Sequence, residues 1–490
     1  MDNEIYNLKR FAKLRSDVLL DLKSNMDEVS VFLRKYPRKT ILSALGDPTV
    51  ASSAEVLREI SRFYFAISPH YRRAVIMLAT ILTNNYVIRP LENIKAVNKK
   101  KLEEQYINYA LKCARFKFKD INPQIMVRTL VDGIYYGLMI EDKRSFFLKP
   151  LQHKYCRLVS VENGVWRFAF DLSYFDTKKT KLMLPSYGKE FERAYLAYKG
   201  DGKDNKGDKT MRWFVPRNQI CIKFDEEYPF IIPPLAGAFK AIIDLETYQE
   251  IQKDGAILDN YKLINYTVET DGDGNPALSY EQIKKYYDQI AGAVPEGIGV
   301  AVNPFKAEGI TLKDTNNAQQ DYTEDATKDL FNNIGVSPLL FGLGANPTYK
   351  VIELSLIVDA TMMMKVLRQI QRVFNVKYQR EMSIHDDYLF EIIFLEQNSF
   401  NKDEVANRMQ KSAMYGVPSK LLYAAALGQE PIDAYGASYL ENDILGCGVD
   451  IYNRPLISSN TLSNGEVGRP ETDTPSENTA QNISNNDDYK

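Results

Sequence analysis

The order of helical and strand-like patterns after Pro233-Pro234 constrains the fold of this chain more than any other sequence feature. Residues 234–258 place apolar side chains at helical spacing, and residues 316–335 do so again. Between them, residues 259–312 have the pattern of a strand, a turn, a helix and a second strand. A helix, a small module and a second helix can form a stalk that leaves a body and returns to it. We therefore expect the two helices to lie antiparallel, with the module at the tip.

A third helix is predicted over residues 351–376, where apolar residues recur three and four positions apart. The packing positions predicted for the three helices are Phe239, Ile242, Ile243, Leu245, Ile251 and Ile257; Tyr322, Ala326, Leu330 and Ile334; and Val351, Leu354, Val358, Met362, Val366, Ile370 and Val373. Helices this amphipathic have too few partners within one subunit, so we expect some of their faces to pack against neighbouring copies in a closed ring.

The rest of the chain predicts a mixed α+β body. Two helices abut within residues 54–82, with Ser68 as the N-cap and Pro69 at the first helical position of the second helix. The other predicted elements are a strand at 86–91, helices at 95–118 and 122–136, short strands within 137–232, a strand at 388–396 and two or three short helices within 402–445. Residues 1–50 form an N-terminal arm, and the polar tail 458–490 has little to bury, which predicts disorder.

Composition excludes several classes of protein. The net charge of −2 and the pI of about 6.1 argue against a protein that grips nucleic acid through a basic surface. The N-terminus lacks the order of a signal peptide, and the longest apolar run, residues 74–82, is about half of a bilayer span. An intracellular, reduced setting fits the cysteines, which lack the spacing of a zinc site: Cys113, Cys156, Cys221 and Cys447.

Motifs for cation binding fail on inspection. Asp271, Asp273 and Asn275 open like a calcium loop, but Pro276 stands where the sharp turn needs glycine, and Gln282 stands at the terminal ligand position. Turn clusters of this composition are more often simply turns. We therefore predict no metal site.

Motifs for catalysis and cofactor binding fail as well. No glycine-rich phosphate loop of the Walker type is present, and Gly342-x-Gly344 lacks a third glycine and follows a helix rather than a strand. The histidines His70, His153 and His385 lie far apart and no nucleophile motif accompanies them. The sequence thus predicts no catalytic residue and no cofactor, so we expect the protein not to be an enzyme.

The predicted loop at 337–350 has an unusual composition, because surface loops are generally polar. It begins with apolar residues, contains two glycines and carries a single charge, that of Lys350. One interpretation is that Leu339, Leu340 and Phe341 are core residues between two packed helices. The other is a mobile loop, with Gly342 and Gly344 supplying backbone freedom.

Five stretches, in this order, resemble the portal proteins of tailed double-stranded DNA phages, of the siphophage type found with Gram-positive hosts. They cover most of residues 50–470 and read EISRFYFAISPHYRRAVIMLATILTNNYVI, YCRLVSVENGVWRFAFDLSYFD, WFVP with the later PPLAGAF, NIGVSPLLFG, and NRPLISSNTLSNGEVGRP. The resemblance implies a ring, usually of twelve subunits, at one capsid vertex. Such a ring would form the channel for DNA packaging and ejection.

The parts of a portal subunit map onto the chain in order. The resemblance implies an arm at 1–50, a wing at 51–232 continued at 351–400, stem helices at 233–258 and 313–336, a clip at 259–312, a tunnel loop at 337–350, a helical crown at 401–457 and a tail at 458–490. The implied partners are other copies of the chain, transiting double-stranded DNA, terminase, the major capsid or scaffold proteins and a head-completion adaptor. The implied location is the virion, with assembly in the host cytoplasm and no membrane.

The resemblance also implies which residues meet DNA. The tunnel-loop candidates are Leu339, Leu340, Phe341, Gly342, Leu343, Gly344, Asn346 and Lys350. On the second stem helix, Asp321, Asp325 and Lys328 are candidates for the channel wall, where acidic groups would repel phosphates and keep DNA mobile. An ordinary solvated face explains the same stem residues equally well.

Two other classes of protein remain as alternatives. A nucleic-acid-processing enzyme would need a metal-binding carboxylate cluster, and the sequence shows none. Another structural virion protein, such as a capsid or baseplate component, would lack the order of stalk, tip and stalk.

Overall fold

The computed structural model describes residues 38–91, 98–141, 146–200, 207–245, 322–336, 349–385, 388–417 and 419–440, the backbone of strands at 262–267 and 298–303, and a few single positions. The chain divides into two compact units, Met1–Pro431 and Ile432–Lys490. Helices and antiparallel sheets are mixed in the first unit. The predicted α+β class is confirmed.

The first three helices are α1 (Arg38–Gly46), α2 (Ala51–Ile67) and α3 (Pro69–Thr80). The joint between α2 and α3 is as predicted, because the Ser68 side chain accepts a hydrogen bond from the Tyr71 amide, and Pro69 opens the helix.

Two helices follow strand β1 (Tyr86–Pro90), namely α4 (Lys99–Phe116) and α5 (Phe118–Asp132). The helix predicted at 122–136 therefore begins four residues before its predicted start and ends four residues before its predicted end. Gly133, at a φ of 76°, ends α5, because the next residues pair as a strand.

Two three-stranded antiparallel sheets follow α5. In the first, β2 (Ile134–Glu141) lies between β3 (Phe146–Pro150) and β7 (Gln219–Lys223). In the second, β5 (Val165–Asp171) lies between β4 (Cys156–Glu162) and β6 (Trp213–Phe214).

The prediction of strands throughout 137–232 is wrong for residues 178–199. Three helices lie there: α6 (Lys178–Lys181), α7 (Leu184–Tyr187) and α8 (Lys189–Lys199). The aromatic residues of this stretch favour strands locally, but those of α8 recur at helical spacing and pack into one aromatic core with the second sheet.

The region of the predicted stalk is described in part. A helix covers residues 238–245 (α9), and the strands β8 (Lys262–Thr267) and β9 (Ile298–Asn303) pair in parallel. A further helix, α10, covers Tyr322–Ile334. Both predicted strands of the 259–312 module are confirmed, while its calcium-like turn lies outside the described residues.

The long helix α11 covers Tyr349–His385, so it begins two residues before the predicted start and continues nine residues beyond the predicted end. Strand β10 (Phe390–Phe394) pairs antiparallel with β1, joining residues about 300 positions apart in the chain. The predicted helices of the 402–445 region are α12 (Lys402–Met414), α13 (Lys420–Ala426) and α14 (Pro431–Tyr439).

Candidate functional site

Most of the predicted tunnel loop lies outside the described residues. This holds for Leu339, Leu340, Phe341, Gly342, Leu343, Gly344 and Asn346. Lys350 belongs to the first turn of α11 rather than to a loop. Of the other candidate residues, the structure places Asp325 and Lys328 on α10, and it also describes the start of the first predicted stem helix and the end of the second.

The start of α9 and the end of α10 lie together. A Cβ added at Gly237 would lie 3.6 Å from the backbone oxygen of Asn333. Gly237 directly precedes α9, in the first predicted stem helix, and Asn333 is the penultimate residue of α10, in the second. The chain therefore leaves and re-enters this region at one place.

Both stem ends pack on the joint between α2 and α3. The Phe239 ring centroid lies 5.6 Å from that of Tyr64 on α2 and 5.9 Å from that of Tyr71 on α3. The Phe331 ring, at the end of α10, meets His70 edge-on at 5.9 Å. Most predicted stem packing positions with described side chains are buried: Phe239, Ile242, Ile243, Leu245, Ala326, Leu330 and Ile334. Aromatic contacts of this geometry add to the stability gained from burial.

The acidic face of α10 is solvated in the subunit. The Asp325 carboxylate lies 3.7 Å from the ammonium group of Lys328, which is three residues further along the helix. Asp329 is exposed. These residues lie away from the buried stripe of Ala326, Leu330 and Ile334, so they are at least partly open to solvent. Exposed pairs of this kind contribute little stability. Asp321 lies outside the described residues.

The chain segment that leads into α9 is held to the body. Arg58 donates a hydrogen bond to the carbonyl oxygen of Ile231 at 2.8 Å. Gly133 packs closely against Ile232, the residue after Ile231: a Cβ added at Gly133 would lie 2.4 Å from the carbonyl oxygen of Ile232. The chain before α9 is therefore held to the body by a side-chain hydrogen bond and by a close backbone contact.

A partly buried polar cluster lies beside this segment. Arg62 donates to Asp132 at 2.7 Å and to Nδ1 of His153 at 2.6 Å. Burial, together with the neighbouring charge of Arg62, lowers the pKa of His153 to about 3. His153 is therefore a neutral acceptor at physiological pH, and the structure gives it a packing role rather than a catalytic one.

The long helix α11 binds two sheets through side-chain amides. Gln369 donates to the carbonyl oxygen of Lys223 at 2.6 Å and accepts from its amide at 3.1 Å. Asn375 makes the same pair of bonds with Ile392, each at 2.9 Å. Each side-chain amide thus pairs with the backbone N–H and C=O groups at the edge of a sheet, as a neighbouring strand would. Sequence reasoning missed both residues, although Gln369 lies at core spacing between Val366 and Val373.

The predicted packing face of α11 is confirmed only in its middle and C-terminal part. Val366, Ile370 and Val373 are buried, whereas Leu354 is 58% and Val358 70% exposed. A row of residues four apart rotates by about 40° at each step around the helix, so it reaches nearly the opposite face after four steps. The N-terminal part of the row therefore faces away from the body.

Asp359 lies on the buried face of this same part of α11. It is 4% exposed, and its Oδ2 atom has no hydrogen-bond partner among the described residues. Leu356 and Met363 flank it on the buried stripe. Burial raises the pKa of the Asp359 carboxyl to about 6.

Neither a metal site nor a membrane span is found in the described part of the chain. No three His, Cys, Asp or Glu side chains come together there as ligands. No helix there has both the length and the hydropathy needed to cross a bilayer.

No protein-family model and no curated protein matches this chain. Among solved structures, the chain is similar to part of the virion of a native gene transfer agent particle, with a TM-score of 0.39, 15% identity, and coverage of 74% of this chain and 89% of that chain. It is also similar to chains in the neck of the empty particle computed with C6 symmetry (TM-score 0.41, 14% identity) and in the neck of the native particle computed with C12 symmetry (TM-score 0.40, 14% identity), each over 74% of this chain and 93% of that chain.

Proposed function

We propose that this chain is a portal protein, one subunit of a ring that conducts double-stranded DNA through a capsid vertex. The observation that carries the proposal is the meeting of the two stem ends. Gly237 and Asn333 lie together on the α2–α3 joint, so the intervening chain leaves the body and returns to it at one place. A stem with a distal clip requires this arrangement. The role is structural rather than enzymatic.

The body supports the proposal because it is assembled from both predicted parts of the wing. Residues 51–232 and 351–400 are joined by the β1–β10 pairing and by the amides of Gln369 and Asn375. Two independent domains, each built from one continuous stretch of chain, would not require contacts between residues 51–232 and residues 351–400. This packing supports the assignment of both stretches to one wing.

The exposed apolar face of α11 supports a ring. Leu354, Ile357 and Val358 are exposed on successive turns, next to the predicted tunnel loop. Apolar surface of this kind is generally covered in an assembly. A twelve-subunit ring of 56.1 kDa chains has a mass of about 670 kDa. A monodisperse monomer or dimer at micromolar concentration and moderate salt would contradict the proposal.

The clip is assigned to residues 259–312, where β8 and β9 form a parallel pair. In a portal this module docks the terminase motor, and head-completion proteins bind later. Replacing it with a short linker is expected to leave the wing folded and to abolish motor docking. Packaging by rings of the deletion variant would refute the assignment.

The tunnel loop is assigned to residues 337–348, because α11 begins at Tyr349. Its truncation to a short Gly/Ser connection tests the channel function. Loop closure depends weakly on length, so subunits and rings are expected to form normally. DNA packaging or retention is expected to fall. Gly342→Pro and Gly344→Pro should act in the same direction by restricting the backbone.

The rival interpretation, in which Leu339, Leu340 and Phe341 are core residues, predicts another result. Truncation would then expose apolar surface and the subunits would aggregate. Ring yield is therefore measured beside packaging, by light scattering and by nuclease protection of DNA. Normal packaging by intact truncated rings would exclude the channel role.

A further inference from the structure

Helices α12 and α13 are joined to the body by a small apolar contact. Its buried residues form a cluster with two members from the body and four from the helices: Val87 and Leu395, and Val405, Ala406, Ala425 and Ala426. Three of the four helix residues are alanines, so this contact buries little apolar area. Among the described residues, the aromatic core beside the second sheet includes no residue of either helix. Polar contacts therefore carry a large share of the attachment.

The side chain of Gln397 lies between the body and these two helices, and it is fully buried. Its Oε1 atom accepts hydrogen bonds from the side chains of Thr83 and Asn85 at 3.0 and 2.7 Å. Its Nε2 atom donates to the carbonyl oxygens of Lys402 and Ala426 at 3.1 and 3.0 Å. The body thus holds the acceptor side of this amide, and the helices take up its donor side.

These contacts use the whole hydrogen-bonding capacity of the Gln397 amide, which has two N–H donors and two acceptor positions. Its orientation is fixed, because the carbonyl oxygens of Lys402 and Ala426 can only accept. The backbone of Gln397 belongs to the body, since its carbonyl oxygen accepts from the Thr83 amide at 3.1 Å. Lys402 is the first residue of α12 and Ala426 the last of α13. One side chain of the body therefore holds both ends of the helix pair.

The two helices also hold each other. The hydroxyl of Ser419, directly before α13, donates to the carbonyl oxygen of Met409 on α12 at 3.2 Å. A further bond to the body comes from Lys119 on α5, whose ammonium group donates to the carbonyl oxygen of Gly428 at 2.7 Å. Lys119 is exposed, so this bond contributes less than the buried bonds of Gln397.

We propose that Gln397 is a latch whose amide holds α12 and α13 on the body, and that both helices leave together when its bonds break. The β1–β10 sheet stays folded in this opening, because its two strands pair with each other and Asn375 covers the edge of β10. Proteins open locally in cooperative units of this size. The inference concerns one subunit and does not rest on the portal function, under which the two helices belong to the crown assigned to residues 401–457.

Gln397→Glu tests the latch because it changes the donor side of the group. A carboxylate still accepts from Thr83 and Asn85, but it cannot donate to the two carbonyl oxygens of the helices. Hydrogen exchange of the full chain is measured by mass spectrometry at pH 7.5. The amides of α12 and α13 are expected to lose protection by about tenfold or more, which is the effect of losing one to two net hydrogen bonds. The amides of β1, β10 and α11 are expected to keep their protection.

Gln371→Glu is the matched control. The Oε1 atom of Gln371, on α11, accepts from the Phe394 amide at 2.9 Å, and glutamate retains this acceptor. The same substitution is thus made beside β10 without removing a hydrogen-bond donor that the structure describes. The protection of α12 and α13 is expected to match that of the unmodified protein.

Lys119→Met gives a second, milder release from an exposed position. It removes the bond to Gly428 and leaves the bonds of Gln397 in place. Exchange is expected to rise about threefold, as for an exposed polar contact. The rise should be equal in α12 and α13, although Gly428 follows α13, because the two helices open together.

Loss of protection confined to both helices supports the latch. Three results would overturn it: unchanged protection in Gln397→Glu, a loss that extends equally to α11 and β2 or unfolds the whole chain, and a loss in α13 alone in Lys119→Met. None of these measurements depends on whether rings form. The latch can therefore fail while the portal assignment stands, and an absence of rings would refute the portal assignment without affecting the latch.

Discussion

Replacing the buried carboxyl of Asp359 with an amide should stabilise the subunit at neutral pH. The carboxyl is 4% exposed, lies on the apolar stripe of α11 and has an oxygen without a hydrogen-bond partner in the described structure. Burial raises the pKa of Asp359 from 3.8 to about 6. The native state therefore binds this proton more tightly than the unfolded chain does.

The sign and size of the effect follow from this difference. The stabilising contribution of protonated Asp359 is fully present below pH 3.8 and is lost as the pH rises through about 6. A difference of about two pKa units means that ionised Asp359 lowers the free energy of unfolding by at most about 3 kcal/mol at pH 7.5. At pH 5, where the native carboxyl is mostly protonated, the destabilisation caused by Asp359 falls to roughly half of this.

Asp359→Asn keeps the shape of the side chain and removes its titration, so the comparison isolates one group. The assay is urea unfolding, followed by intrinsic fluorescence, of the unmodified protein and the variant between pH 7.5 and pH 5. The variant is expected to be the more stable protein at pH 7.5, and its advantage in unfolding free energy should shrink to roughly half at pH 5.

A stability difference that does not change with pH would refute this reasoning, because it would mean that Asp359 titrates alike in the folded and unfolded states. An Asp359→Asn variant that is less stable than the unmodified protein at pH 7.5 would also refute the reasoning. That result would show that the carboxylate is paired, for example by a cation from a neighbouring subunit.

Three further changes test the packing of the body and the proposed ring. Gly133→Ala is expected to cost more than about 2 kcal/mol in thermal unfolding, because its φ is 76° and its Cβ would lie 2.4 Å from the oxygen of Ile232. Asn375→Leu should cost about 2–5 kcal/mol in urea unfolding, because both backbone groups of Ile392 lose their partner. Val358→Asp should change subunit stability by less than about 0.5 kcal/mol and yet reduce ring yield in light scattering, because Val358 is exposed in the subunit. Unchanged stability in the first two variants, or undiminished rings in the third, would contradict the packing described here.

Local chemistry made several elements predictable from the sequence. The Ser68 cap and the following Pro69 specify a helix start within a few residues, and the structure has that start. The stripe of Ala326, Leu330 and Ile334 is buried as predicted, because a short helix with one apolar face has one way to pack.

Features set by distant parts of the chain were not predictable. Gln369 and Asn375 are buried because they complete the edges of sheets, and no local signal shows that a sheet edge lies opposite. Leu354 and Val358 carry the same spacing signal as Val366, yet they face away from the body. Periodicity shows that a face is apolar, but it does not show whether the same subunit or a neighbour covers it.

Two faces of helix α3 have different surroundings. His70 contacts Phe331 on α10, and Tyr71 contacts Phe239 on α9. Arg72, Arg73 and the exposed Ile76 instead lie on the surface of the α2–α3 joint. The sequence shows the apolar spacing of this helix, but it does not show which of its residues meet helices more than 150 positions later in the chain, because those contacts depend on the rest of the fold.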